Sequence, residues 1–225
     1  SNDVRGVTIT EDPVSGDPVD AIDLFVDQEG AEIGVRLEDW HGLTATLSWF
    51  WLESDSELLF VGDSGSTEPN DASERTGLEL TLFWELDENW VADLNYSTVD
   101  SEFSGVPSAL DEVPNAHGGV LGAGITYVQP RGWVASLRVR HFGDAPLTED
   151  GSVKHGDTTV VNANVGYEFE QWEFGLEILN LFDSEDDDIA YFFESRLPGE
   201  ASVMEDVHFH PVIERSFRLS ARYKF

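Results

Sequence analysis

The stretch GLELTLFWELDENWVADLNYS, residues 77–97, carries the pattern that decides the fold. Leu78, Leu80, Leu82, Trp84 and Leu86 alternate with Gly77, Glu79, Thr81 and Glu85. After Asp87-Glu88-Asn89 the alternation resumes, with Trp90, Ala92, Leu94 and Tyr96 set against Asp93, Asn95 and Ser97. Successive side chains of a β-strand point to opposite faces, so this period of two describes two strands, each with one apolar and one polar face. The Asp-Glu-Asn punctuation between them predicts a tight turn and therefore an antiparallel pair.

The same grammar runs outward in both directions. Towards the N-terminus, Ala31, Ile33, Val35 and Leu37 oppose Glu32, Gly34, Arg36 and Glu38. After His41-Gly42, Leu43, Ala45, Leu47, Trp49 and Trp51 oppose Thr44, Thr46 and Ser48, in a strand that the pattern extends towards Phe60. Towards the C-terminus come Leu121 to Val128, then Trp133 to Arg140 beyond Pro130-Arg131-Gly132, then Val161 to Phe169, Trp172 to Ile178 and Phe217 to Phe225. Connections are tight at 40–42, 87–89, 130–132 and 170–171 but long at 62–74, 104–117, 143–157 and 183–215. Short and long connections thus fall on opposite ends of the sheet, as in outer-membrane barrels with short periplasmic turns and long extracellular loops. Trp40, Trp84, Trp90, Trp133 and Trp172 sit beside the tight turns, where an aromatic girdle would mark the periplasmic interface. The expectation is an all-β, antiparallel up-and-down transmembrane β-barrel segment of about nine strands. A soluble antiparallel sheet with its aromatics in a core is the competing reading.

Composition excludes several classes. A net charge of −33, from 45 acidic and 12 basic residues, argues against a nucleic-acid partner, which would require clustered Lys and Arg. Zero cysteines exclude disulfide frameworks and thiolate metal sites. No run approaches the roughly 20 apolar residues of a membrane helix. The mean hydropathy of −0.25 does not bear on a barrel, whose strands need only one apolar face.

Other segments carry a family likeness: RGVTITEDPVSGDPVD (5–20), GAEIGVRL (30–37), SELLFVGDSGSTEP (56–69), NLFD (180–183), SRLPGE (195–200) and HFHP (208–211). With the ending SFRLSARYKF, the chain resembles the C-terminal half of the TonB-dependent outer-membrane receptors. That resemblance implies an N-terminal plug inside a 22-stranded barrel, the nine strands read here being strands 14 to 22. All of 1–225 would then be C-terminal barrel, with 1–29 an extracellular loop and 30–225 strands and long loops. Signal peptide, plug and early strands would lie outside this chain. The resemblance further implies active uptake of a scarce ligand, a ferric siderophore or similar chelate, driven by the TonB complex acting on the plug, in the outer membrane of a Gram-negative bacterium. No cofactor is implied, and a passive porin or small structural barrel is the alternative. Phe217, Leu219, Ala221, Tyr223 and Phe225 resemble the signal read by barrel-assembly machinery. Lipopolysaccharide and outer-membrane lipid are expected partners of the apolar face, and divalent cations bridging lipopolysaccharide could be held by acidic outer loops.

Candidate chemistry is sparse. Arg36, Arg138 and Arg140 fall on the predicted lumen face, where they could attract an anionic chelate or simply supply polarity. His208 and His210 could place two imidazoles on one side of an extended segment, but a metal site needs a third ligand. The acidic run from Asp183 to Asp188 lacks the spacing and glycine of an EF-hand. GDSG at 62–65 is similar to the nucleophile region of chymotrypsin-like proteases, yet only His41 precedes Ser64, and it belongs to a tight turn at the far end of its strand. No catalytic residues are assigned.

Overall fold

The computed structural model describes the backbone of residues 2–4, 10–11, 18–19, 25–61, 66–199 and 201–225. Nine long strands form its framework: β1 (Phe25–Trp40), β2 (Leu43–Ser54), β3 (Ser73–Glu85), β4 (Trp90–Phe103), β5 (Gly119–Val128), β6 (Trp133–Phe142), β7 (Thr158–Phe169), β8 (Trp172–Leu179) and β9 (Ser216–Tyr223). They lie side by side in chain order, every neighbour antiparallel, in a ten-stranded sheet whose tenth member is a short strand, Asn2–Val4, on the free edge of β1. The up-and-down order is that expected from the alternation. Strand lengths run from 8 to 16 residues, which spans the roughly 9–11 needed to cross a bilayer at a tilt.

Register shows why the alternation holds. One cross-strand row runs Trp40, Leu43, Trp84, Ala92, Ile125, Leu137, Ala163, Ile178 and Phe217, touching all nine strands without a polar residue. A slip of one residue at any pairing would turn a whole strand over, so the apolar face and the register specify one another. This face is open: Ile33 is 71 % and Leu219 81 % exposed. Among the described residues, the buried apolar side chains are Val26, Phe103, Val113, Ala145, Leu147, Val160, Ala190 and Val212, all at the long-loop end. Among the described residues nothing packs over the apolar face of the wall, whereas a sandwich would cover it with a second sheet.

The tight turns show the local chemistry that closes each hairpin. Trp40 pairs with Leu43, leaving His41 and Gly42 at φ 53° and 79°, the two left-handed positions of a type I′ turn whose twist matches the strands. At the next tight turn, Asp87 Oδ1 accepts the backbone N–H groups of Asn89 (2.7 Å) and Trp90 (2.9 Å), while Asn89 Nδ2 donates to Val128 O (2.8 Å) and ties the turn to β5. Beside these turns, cross-strand partners pack as aromatic pairs: Trp90 with Tyr127 at 5.0 Å, Trp133 with Tyr167 at 4.7 Å and Trp172 with Tyr223 at 5.0 Å between ring centroids. Three of the five tryptophans of the girdle read from the sequence are therefore held in Trp–Tyr cross-strand pairs, while Trp40 and Trp84 both face Leu43.

Two boundaries differ from expectation. β1 begins at Phe25, not at residue 30, because Gln28 and Glu29 still find partners in Ser54 and Glu53 of β2. β2 stops at Ser54 instead of running towards Phe60, and a separate hairpin, Leu58–Val61 with Ser66–Pro69, follows it. The break has a cause: the Ser54 hydroxyl donates to Ser56 O (3.0 Å), turning the chain out of the sheet.

Within the strands, packing across the sheet is especially close at Gly77, on the polar face. The Phe50 ring of β2 lies over it, so that an added Cβ would stand 2.6 Å from the ring and 2.5 Å from Thr98 O. Gly77→Ala is expected to destabilise the full-length barrel by roughly 1–3 kcal/mol through overpacking. The check is the temperature of its heat-induced mobility shift in detergent, and an unchanged midpoint would count against this packing.

Candidate functional site

The face opposite the apolar row carries the candidate arginines, and each is already partnered. Arg138 of β6 donates through Nη2 to Asp93 Oδ2 at 2.6 Å, although Asp93 lies two strands away on β4. The guanidinium crosses β5 at Gly124, where a Cβ would stand 2.9 Å from Arg138 Cζ. Arg140 pairs with Asp188 at 3.5 Å and lies 5.6 Å from the Phe142 ring centroid, while Arg36 pairs with Glu38 of its own strand at 3.1 Å. Near the C-terminus, Arg218 bonds Glu177 (2.6 Å), Arg222 bonds Glu173 (3.4 Å) and Lys224 bonds both Glu173 (2.5 Å) and Glu168 (3.1 Å). The structure does not bring Arg36, Arg138 and Arg140 to one point. It distributes them along a polar face on which acid neutralises base.

The NLFD segment makes the corner at which β8 gives way to the last long connection. Asn180 is 2 % exposed and sits at φ 50°, a backbone conformation that asparagine tolerates better than most residues. Its backbone N–H donates to Asn162 Oδ1 (2.9 Å), and its amide nitrogen donates to Ser184 O (2.9 Å) and Ile213 O (3.1 Å). Its amide oxygen accepts the Ser184 N–H (2.8 Å). Asp183, at φ 57°, accepts the backbone N–H of Arg215 (2.9 Å) and pairs with its guanidinium (3.3 Å), clamping the return leg. Beside this corner Asp186 accepts the Ser184 hydroxyl and the Thr159 N–H, which together with nearby His155 hold its carboxyl below the usual carboxylate range.

The long connection 183–215 is not featureless. Asp187–Ser195 and Met204–Pro211 form a hairpin in which His208 opposes Tyr191 and His210 opposes Ile189. The His208 ring stacks on Phe193 at 3.9 Å and 20°. Among the described residues, no group of three His, Cys, Asp or Glu gathers to hold a metal. The alternation of Ile189, Tyr191 and Phe193 is the strand signal in this segment, masked in sequence by the acidic run before it. His41 occupies its tight turn, with its ring centroid 5.3 Å from that of Trp40, and GDSG (62–65) lies outside the described residues.

At the long-loop end four connections line an open cavity of about 930 Å³. Its lining comprises Leu58, Leu59 and Asn70 of the β2–β3 connection, Leu110, Pro114 and Asn115 of the β4–β5 connection and 147–150 with 152–153 of the β6–β7 connection. Tyr191, Phe192, Phe193, Glu194 and Glu205 of the last hairpin complete it. Single connections read separately do not reveal it, since no one of them supplies more than part of the wall. Within it, Thr148 and Ser152 wrap Asp150: both hydroxyls donate to Oδ1 at 2.7 Å and the Ser152 N–H at 3.0 Å, holding the carboxyl at a pKa of about 2.

Asn180→Ala removes three side-chain hydrogen bonds from a buried corner and leaves the Ser184 N–H without its acceptor. It is expected to cost about 1–3 kcal/mol of stability, read as a lowered unfolding midpoint of the full-length protein. A midpoint equal to wild type would contradict this role for the motif.

Solved structures support the fold. The chain is similar to the ferric yersiniabactin uptake receptor FyuA from Yersinia pestis, with 19 % identity over 90 % of this chain and 30 % of that one and a TM-score of 0.68. It is similar to the siderophore receptor PiuA from Acinetobacter baumannii, with 17 % identity over 93 % and 30 % and a TM-score of 0.69. The copper transporter OprC gives 19 % identity over 89 % and 32 % with a TM-score of 0.62. The chain thus spans about a third of the length of these proteins. No match was found among curated protein sequences. Residues 29–181 match the family described as TonB dependent receptor-like, beta-barrel, and because that match covers well over half of the sequence, the chain belongs to this family.

Proposed function

We propose that this chain is the C-terminal wall and outer loops, strands 14–22 of a 22-stranded barrel, of an outer-membrane transporter that imports a scarce small molecule by TonB-dependent uptake. The cargo class we propose is a ferric siderophore or similar chelate, and the protein's role is transport, not catalysis. The observation that carries this reading is the pairing of an unbroken outward apolar row across nine strands with a ligand-sized cavity built from four connections at one end of them. Family membership and the siderophore, iron and copper proteins among the structural neighbours support it.

The partners follow from the same parts. Lipid and lipopolysaccharide would cover the apolar face. Barrel-assembly machinery would engage β9, where Phe217, Leu219, Ala221 and Tyr223 alternate towards Phe225. The TonB complex would act through a plug carried elsewhere in the whole protein.

The test is uptake of a radio-iron chelate by cells expressing the full-length protein, with and without TonB. We expect accumulation that collapses at least tenfold when TonB is deleted or the proton gradient is discharged. Equal entry with and without TonB would establish a passive barrel instead.

A further inference from the structure

The cavity at the long-loop end has a consistent chemical character. Tyr191, Phe192 and Phe193, three consecutive aromatic residues, line it, Phe192 on the face of the hairpin that carries Glu194 and Glu205, Tyr191 and Phe193 on the other. Four carboxylates, Glu149, Asp150, Glu194 and Glu205, line it as well, and no Lys, Arg or His does so among the described residues. Glu194 and Glu205 stand directly opposite one another in the hairpin, a like-charge pairing that is unfavourable unless something positive intervenes. The hydrogen bonds given to Glu149 and Asp150 come from neutral donors: Asn70 to the first, Thr148 and Ser152 to the second. These bonds orient the carboxylates without cancelling their charge, and those to Asp150 keep it ionised far below neutral pH.

Three nearby basic residues are engaged with other acids, and Arg196, two residues beyond Glu194, is not among the lining residues. Arg75 is bound to Glu57 at 2.6 Å, Arg140 to Asp188 and Lys154 to Asp144. An anionic chelate entering the cavity would therefore meet carboxylates with no Lys, Arg or His among the described lining residues. A cation with aromatic or apolar ligand groups would gain both Coulomb attraction and contact with ring faces.

We propose that this cavity is a binding site for a metal chelate or organic ion with an aromatic or apolar surface and a net positive charge, and that it discriminates against anionic chelates of the same shape. The proposal rests on the reading of the chain as an uptake wall and narrows its cargo class. A volume of about 930 Å³ accommodates an octahedral tris-chelate.

The experiment is equilibrium dialysis of the purified full-length protein in detergent against two probes: tris(phenanthroline)iron(II), a dication, and its ring-sulfonated, anionic analogue. Both share one metal and one ring framework, so the comparison isolates charge. We expect the cation to bind at least tenfold more tightly, and Glu194→Gln combined with Glu205→Gln to remove most of that preference. A protein this acidic attracts cations non-specifically, so a second double variant, Glu29→Gln with Glu53→Gln, serves as the reference. Those residues face each other on β1 and β2, away from the cavity lining, and their loss is expected to leave the preference intact. Binding of the anion as tightly as the cation, absence of binding by either probe, or equal loss in both double variants would overturn the proposal. Binding in dialysis needs no energy source. TonB-dependent import of an anionic chelate would thus sink this inference alone and leave the uptake reading standing.

Discussion

The structure depends on one constraint: every strand must present an unbroken apolar face on one side while its backbone groups are satisfied by its neighbours. In hydrocarbon an unpaired N–H or C=O is costly, so a chain that crosses as strands must do so in a paired sheet. The row from Trp40 to Phe217 is the visible result, because each antiparallel pairing places an apolar residue against an apolar residue. The opposite face is released from that demand and carries ion pairs such as Arg138 with Asp93. In a water-filled, high-dielectric setting such pairs contribute little stability individually, and their effect is to leave the face polar yet nearly neutral.

Charge and packing are thereby sorted by position. The wall holds its order through register, whereas the buried apolar side chains among the described residues lie at the long-loop end, around residues such as Val113, Ala145, Leu147 and Ala190. Acid accumulates at that end too. Glu29, Glu53, Glu74 and Glu102 form a cross-strand row on β1 to β4, continued by a bridge from Glu102 to Glu112. They share the parity of the apolar row and lie beyond it, so the outward face changes from apolar to acidic along the same strands.

The wall was legible in the sequence because a period of two needs no tertiary knowledge: nine runs, four tight turns and the tryptophans beside them all reappear, with the start of β1 and the end of β2 displaced. What lay beyond reach shares a single physical origin, in that it depends on residues brought together by register or by loop packing. Arg138 was visible as a lumen residue, but its partner Asp93 is 45 positions away and is reached only because Gly124 leaves room on the intervening strand. Asn180 was visible as part of a motif, but its role as a corner with every polar group satisfied needs Asn162, Ser184 and Ile213 in place. The hairpin of 187–195 with 204–211 was concealed by Asp183 to Asp188, whose charge reads as solvated loop. The cavity could not be read at all, since four separate connections build it.

The central claim is that the face bearing Leu78, Leu80, Leu82 and Trp84 meets lipid while the face bearing Glu79, Thr81 and Phe83 meets the lumen. This sequence has zero cysteines, so once any cysteine elsewhere in the full-length protein is replaced, single-cysteine variants at each position from 78 to 86 give unambiguous spin-label sites. Their accessibility to oxygen and to a water-soluble nickel chelate, measured on the full-length protein in bilayers, tests the claim most directly. The account predicts a strict period of two, with oxygen favoured at 78, 80, 82 and 84 and nickel favoured at 79, 81 and 83. Nickel access at every position, or no alternation, would contradict it.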